Sequence, residues 1–367
     1  MNALSDIVIF YFSGTGNSAK VVEWISAEAK TRNIKVTTHN LSKIKRDKPS
    51  IASTINTYTS PSLLTPKLKG LFSKPYFLFI GPTHGFNFPP ILMHFLLHFP
   101  KGSNQVGLMN TRAGMRIGKV VTPGLSGLAL LFGAAVLRIK GYTIRAMIPV
   151  DLPSNWVSVH PVIRQEGVKI IHRKSKERVI KFADRILNGE RVLKGLRDLI
   201  QDLLISPISI GYYFLGRFIF AKTFFASPDC TKCGLCEKNC GVSAIKMVDS
   251  RPFWTHKCES CMHCMSNCPE KAIQTGHGFV IALSVLFTSL LLGQFYKLLE
   301  GNLFEIHNHT LRLVISNGLY ILYIFIAYRL AHILMRFKWF GRLIEFTSLT
   351  RYKFWGKGYK ALKDKDF

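Results

Sequence analysis

The chain has 367 residues, room for two or three folding units, and 48% of them are hydrophobic, enough for a sizeable core. A mean hydropathy of +0.17 is high for a wholly water-soluble protein and points to a membrane segment. The formal charge of +28, from 49 Lys+Arg against 21 Asp+Glu, suits nucleic acid, an acidic partner or an anionic membrane surface. No nucleic-acid-binding module or aromatic RNA-binding signature occurs, which leaves the membrane surface and an acidic redox partner and sets nucleic acid aside.

The first residues, MNALSDIVIFYFSGTGNS, lack a basic leader, a long apolar run and a cleavage site, so the N-terminal part is expected in the cytosol. Residues 7–12 read as a buried strand. Ser13, Gly14, Thr15, Gly16, Asn17 and Ser18 follow, and then Val21, Val22 and Ile25 recur at helical spacing. A strand, a hydroxyl-rich glycine turn and a helix make an anion site, because glycines admit close backbone approach and the helix start presents amides. The loop has neither the Gly-Lys-Ser/Thr ending of a Walker loop nor the GxGxxG of a Rossmann loop, so it suits a phosphate monoester that is held and not turned over.

Residues 34–39, 76–80 and 105–109 read as further strands. The second of these precedes Pro82, Thr83, His84, Gly85 and Phe86, and the third precedes a loop of Asn110, Thr111, Arg112, Ala113 and Gly114. Residues 120–137 are expected to be a buried helix on the sheet and not a membrane span, given Pro123, several glycines and the basic residues after it. Residues 142–150 form the last strand, so five strands alternating with helices predict a parallel doubly wound α/β sheet.

The glycine turn resembles the FMN-phosphate loop of flavodoxins. That resemblance implies that Ser13, Gly14, Thr15, Gly16, Asn17 and Ser18 hold the phosphate of FMN. It also implies that the isoalloxazine lies between Pro82, Thr83, His84 and Phe86 on one side and Asn110, Thr111 and Gly114 on the other. His84 reads equally as a proton partner for the flavin or as a plain loop histidine.

Residues 164–197 carry 11 Lys+Arg and 4 Asp+Glu around apolar positions, an amphipathic helix with a linker. Residues 203–225 are too apolar for a linker, and two readings stay open: they lie along the membrane or pack between two redox modules.

All eight cysteines fall in two runs of the same C-x2-C-x2-C-x3-C spacing, Cys230, Cys233, Cys236, Cys240 and then Cys258, Cys261, Cys264, Cys268. A tight loop with a cysteine at every third residue supplies three thiolates to one small volume, and the fourth comes from elsewhere. Zinc sites usually carry two CxxC pairs further apart, and disulfide frameworks belong to secreted chains. The runs resemble those of two-cluster bacterial ferredoxins. By that resemblance Cys230, Cys233, Cys236 and Cys268 hold one [4Fe-4S] cluster, and Cys258, Cys261, Cys264 and Cys240 the other. Pro269 follows the second run, while Gly241 stands where the family usually has proline, so a tuned or loosened cluster is expected there.

Residues 278–296 carry no charge, and 313–335 carry only Arg329, so both read as membrane spans, an α-helical hairpin. The tail from 336 has 9 Lys+Arg against 3 Asp+Glu, so the positive-inside rule puts the redox modules and the tail in the cytoplasm. His277 and His332 fall near the inner ends of the spans, where a haem or quinone role competes with plain interfacial histidines.

The expected order is a flavodoxin-like FMN domain over 1–190, an apolar and basic linker over 191–227 and a two-cluster ferredoxin domain, α+β, over 228–276. A transmembrane hairpin over 277–335 and a basic cytoplasmic tail over 336–367 complete it. From about residue 5 to 276 the chain resembles flavodoxin-ferredoxin fusion proteins. The resemblance implies electron transfer from a cytosolic donor, through FMN and two [4Fe-4S] clusters, to or from a membrane-bound redox enzyme at the inner membrane. Direct oxidation or reduction of quinone, and a redox sensor or scaffold, are the alternatives. No nicotinamide fingerprint and no constellation for hydrolysis or group transfer is present.

Overall fold

The computed structural model describes residues 4–44, 75–117, 120–302 and 309–357. Two compact units result, one drawn from residues within 4–155 and 163–210, the other from 156–162 and residues within 211–357.

The first unit is built on a sheet. Strands β1 (Asp6–Tyr11), β2 (Lys35–Asn40), β3 (Tyr76–Pro82), β4 (Gln105–Ile117) and β6 (Thr143–Pro153) run parallel in the order β2-β1-β3-β4-β6. Short β5 (Val120–Thr122) folds back antiparallel on the far end of β4. Counted as parallel strands, this is the 2-1-3-4-5 order of the flavodoxin-like doubly wound sheet.

The sequence dictates the layers. Ile7 to Phe10 are all fully buried, as a central parallel strand covered on both faces requires. One face sets Ile7, Ile9, Leu78 and Ile80 against Val21 and Ile25 of α1 (Asn17–Thr31) and Val179 and Ala183 of α4 (Gln165–Leu187). The other face is aromatic: the Phe10 ring lies 5.1–6.0 Å from those of Phe77, Phe79, Phe95 and Phe99. Helices α2 (Pro90–His98) and α3 (Leu128–Ile139) cover it, burying Leu92, Leu96, Leu130 and Leu137.

Two expected elements differ. Residues 110–114 are not a loop but the continuation of β4, paired with Pro149–Pro153 of β6. Residues 120–137 are not one helix: β5, an irregular stretch over 123–126, a turn at Gly127 and α3 share it. Gly127 marks the break, with φ +55 and an added Cβ only 2.3 Å from the Phe86 carbonyl oxygen.

The second unit begins upstream of the cysteines. Upstream of them, segment 199–223, of which 199–210 belongs to the first unit and 211–223 to the second, forms short helices, Leu199–Leu204, Ser206–Gly211 and Arg217–Ala221, with Ile208, Ile210 and Phe214 exposed. The pieces Lys194–Leu204 and Ser206–Ala221, bent by 78°, have together the length and apolarity of one broken span. Strand β7 (Phe224–Ala226) then pairs antiparallel with β10 (Ile273–Thr275), and β8 (Ile245–Val248) pairs antiparallel with β9 (Arg251–Trp254). The first cysteine run therefore joins β7 to β8, and the second joins β9 to β10.

Two helices, His277–Lys297 and Thr310–Leu334, are long and apolar enough to cross a membrane. They pair through Ser284 and Tyr320 (2.6 Å) and through Tyr296 and Ser316 (2.7 Å). The residues after them return to the strands. Ile344 is buried with Phe225, Ala331 and Met335, Gln274 donates to Glu345 Oε1 at 3.2 Å, and the Thr275 N–H donates to Thr350 Oγ1 at 2.9 Å. Trp355 Nε1 donates to the Val157 carbonyl at 2.8 Å. So 338–355, within the segment 336–367 expected as a basic cytoplasmic tail, belongs to a folded unit; 358–367, with Tyr359, lies outside the described residues.

Candidate cofactor sites

In the first unit the turn after β1 is held in shape by its own hydroxyls. Ser13 Oγ accepts the N–H groups of Gly16 and Ala19, both at 3.2 Å, and so caps α1. Gly16 has φ +108, open to glycine and costly for a branched residue. Asn17 Nδ2 donates to the Pro153 carbonyl at 2.9 Å, Asn155 Nδ2 donates to Thr15 Oγ1, and Ser18 and Thr111 share a hydrogen bond of 3.0 Å. The turn is thus tethered to the carboxyl ends of β4 and β6, at the edge where open α/β sheets bind ligands.

The other expected residues gather at the same edge. Asn110 Nδ2 donates to Thr83 Oγ1 at 2.8 Å, while its buried Oδ1 has no hydrogen-bond partner. Pro82 ends β3; His84 and Asn87 exchange backbone hydrogen bonds, and the His84 ring meets Phe12 edge-on at 6.4 Å. Gly85 and Phe86 both adopt positive φ, and the Phe86 carbonyl accepts the Leu128 N–H at 2.9 Å. Gly114 lies in β4, where an added Cβ would stand 3.2 Å from that of Asp151. A shell the sequence does not reveal supports the edge. Buried Arg112 donates from Nε to Asp151 at 2.7 Å and from Nη1 to Asp198 at 2.5 Å, and Gly124 donates its N–H to Asp151 at 2.9 Å. Arg112 thereby ties β4, β6 and the stretch after β5 into one charged, hydrogen-bonded block.

In the second unit the two cysteine runs fold alike, position by position. Positive φ occurs two and four residues after each first cysteine, at Lys232 and Gly234 and at Ser260 and Met262. It occurs again three residues after each fourth cysteine, at Ser243 and Lys271. The bracketing bonds repeat as well: Cys230 to the Ser227 carbonyl (3.1 Å) matches Cys258 to Thr255 (3.2 Å). Ser227 to Ala272 matches Thr255 to Ala244, both 2.8 Å. Five of these six left-handed residues are not glycine; such strain persists only where surroundings impose it and concentrates at functional sites.

The grouping of the thiols crosses between runs. Charge on Cys240 acts on Cys258, Cys261 and Cys264, whereas Cys236 feels Cys230 and Cys233. Cys230, Cys233, Cys236, Cys264 and Cys268 line one cleft with Met247 and Ile273. Burial pushes Cys236 up to about 11 and Cys261 up to about 12, and raises Cys258 and Cys264 too, so these thiols ionise together only beside compensating positive charge. No disulfide joins the eight, and among the described residues no three His, Cys, Asp or Glu side chains converge on one ion-sized point. Fully buried Trp254 makes no hydrogen bond of ordinary geometry from Nε1, and its effect falls on Cys264, favouring the charged sulfur.

Lys222 is the residue the sequence conceals most completely. Its side chain is enclosed, with Nζ donating to the Trp254 carbonyl at 2.6 Å and lying 4.4–4.8 Å from the ring centres of Phe253, Phe325 and Tyr328. Burial pulls its pKa down to about 8, and the Cys258 sulfur pulls it back up. The histidines near the spans have structural partners. His277 Nε2 sits 2.9 Å from the Ser158 carbonyl and Nδ1 accepts the Leu349 N–H at 3.1 Å, which occupies both nitrogens and removes it as a haem ligand. His332 packs edge-on against Phe253 at 5.2 Å.

No protein-family model matches the chain, and no curated protein does. Solved structures similar to its first half include rubredoxin oxygen:oxidoreductase from the anaerobe Desulfovibrio gigas, with 14% identity and a TM-score of 0.28 over 50% of this chain and 37% of that one. A flavodoxin of Streptococcus pneumoniae TIGR4 is 13% identical at a TM-score of 0.31, over 49% of this chain and 95% of that one. General stress protein 14 of Treponema denticola, in complex with FMN, is 14% identical at 0.32, over 50% and 98%. The chain therefore spans little more than a third of the first of these proteins. The strand order alone carries the assignment of the first unit to the flavodoxin-like fold.

Proposed function

We propose that the chain is a membrane-anchored electron-transfer protein that binds FMN in its first unit and two [4Fe-4S] clusters in its second. The observation that carries the reading is the duplicated backbone of the cysteine runs, with Cys240 grouped with the other run's first three cysteines. That crossover is the ligand exchange of two-cluster ferredoxins, and a cluster is a body its ligands surround, unlike a single ion. Iron carries the positive charge that buried thiolates need, and the Trp254 N–H suits a donor to the ligand sulfur of Cys264.

For FMN, the hydroxyls and backbone at the start of α1 suit the phosphate, and the orphaned Asn110 Oδ1 suits an N–H of the ring. FMN supplies two-electron exchange and the clusters supply one-electron steps, so the chain converts between the two. Its own residues bind, orient and shield these groups.

Two spans return the chain to the side it left, which suits the hydrogen bonds from 274–275 to 345–350. With the basic residues of 336–357, this favours both units on the cytoplasmic side of the inner membrane. The partner is then a membrane-bound redox enzyme, fed by or feeding a cytosolic carrier. Reconstituted in liposomes and reduced anaerobically, the protein should stay reduced when a menaquinone analogue is added and reoxidise only with a membrane fraction holding its partner. Rapid reoxidation by the quinone alone would make it a quinone oxidoreductase instead.

A further inference from the structure

We infer that Lys222 is a fixed positive charge that raises the reduction potential of the cluster held by Cys240, Cys258, Cys261 and Cys264 above that of its twin. The inference rests on the two-cluster reading and adds an asymmetry to it.

The duplicated loops make the asymmetry visible. Trp254 stands four residues before Cys258, and Ala226 four residues before Cys230. A cation donates to the carbonyl of each: Lys222 to Trp254 at 2.6 Å and Arg251 to Ala226 at 3.3 Å. The two cations sit in different media. Lys222 is 3% exposed and walled by three aromatic rings, whereas Arg251 is only partly buried and more open to screening by water. The aromatic faces favour the ammonium form, so the charge persists despite burial. Adding an electron to a cluster adds negative charge, and a nearby cation stabilises that product more than the oxidised state. A buried cation does so with little attenuation. Electrons entering the pair therefore settle on the cluster of Cys240, Cys258, Cys261 and Cys264, beside Phe325 and Tyr328 of the second apolar helix.

The test is an anaerobic potentiometric titration of the full-length protein in detergent, followed by electron paramagnetic resonance. Wild type should show two one-electron waves. In Lys222→Met the higher wave should move down, so that at fixed potential the reduced-to-oxidised ratio of that cluster falls about tenfold, or about 59 mV. The lower wave should stay in place, and Lys222→Arg should restore the first. Arg251→Met should move either wave by less. Iron and acid-labile sulfide per chain are measured on every sample. Where Lys222→Met is recovered without iron, Lys222→Gln, which keeps a donor for the Trp254 carbonyl, takes its place with the same expectation. Full iron content with neither wave moved, or both moved equally, overturns the role of Lys222 and leaves the two-cluster reading intact. A wild type without cubane signals overturns both.

Discussion

Replacing His172 by phenylalanine should remove about 2 kcal/mol of the pH dependence of the first unit's stability between about 7.5 and 5. His172 is 3% exposed on α4 and meets Trp24 of α1 edge-on at 6.1 Å. Burial, with Lys20 a second influence, holds its pKa down at about 4, against about 6.5 for a free imidazole. The unfolded chain therefore takes up a proton that the folded one refuses. The stability contribution is complete above about pH 6.5 and is lost as pH falls towards 4. Between pH 7.5 and 5 the loss is about 2 kcal/mol. Hydrogen exchange read by mass spectrometry at the β1 and β3 amides, corrected for intrinsic exchange, measures it as a fall in protection of about thirtyfold. Phenylalanine keeps the edge-on packing and removes the proton. Equal protection at both pH values in the wild type, or an equal fall in His172→Phe, would refute the reasoning.

Gly16→Val forces a branched residue to φ +108 and should weaken FMN retention about tenfold or more while iron content holds, measured by flavin release on dilution. Cys240→Ser should abolish the resonance of the cluster assigned to Cys258, Cys261 and Cys264 and about halve bound iron, and Cys268→Ser should abolish the other. Loss of the opposite signal in each would reverse the ligand exchange. Truncation after Gly276 removes Ile344, Glu345 and Thr350, which pack on or bond to the strands. The product should lose iron at a lower temperature than the full chain while retaining flavin, and unchanged iron retention would contradict the packing.

Much of the first unit was legible because parallel strands buried on both faces spell out as apolar runs, and Ile7–Phe10 and Tyr76–Ile80 are such runs. Where the chain turns back on itself, pattern failed. Residues 110–114 look like a loop because Asn110, Thr111 and Gly114 are turn residues, yet pairing with β6 draws them into the sheet. Likewise the apolar stretch 120–137 hides a strand and a turn, which only Pro123 and Gly127 betray. The cysteine spacing is local, so both runs were readable, and their shared backbone geometry emerged only in three dimensions. Arg112 and Lys222 could not be found from sequence, because a basic residue in an apolar context reads as a surface or snorkelling side chain until its partners are known. The return of 338–355 was hidden for the same reason: basic residues interleaved with Trp339, Tyr352 and Trp355 read as a basic tail, and the buried Ile344 and Glu345 were the informative positions.

Anaerobic purification in detergent followed by quantitation of FMN, iron and acid-labile sulfide should give about one flavin, eight irons and eight sulfides per chain. The reduced protein should give the spectrum of two interacting cubanes. One or two zinc ions with no sulfide, or clusters with no flavin, would contradict the proposed coupling of the two units.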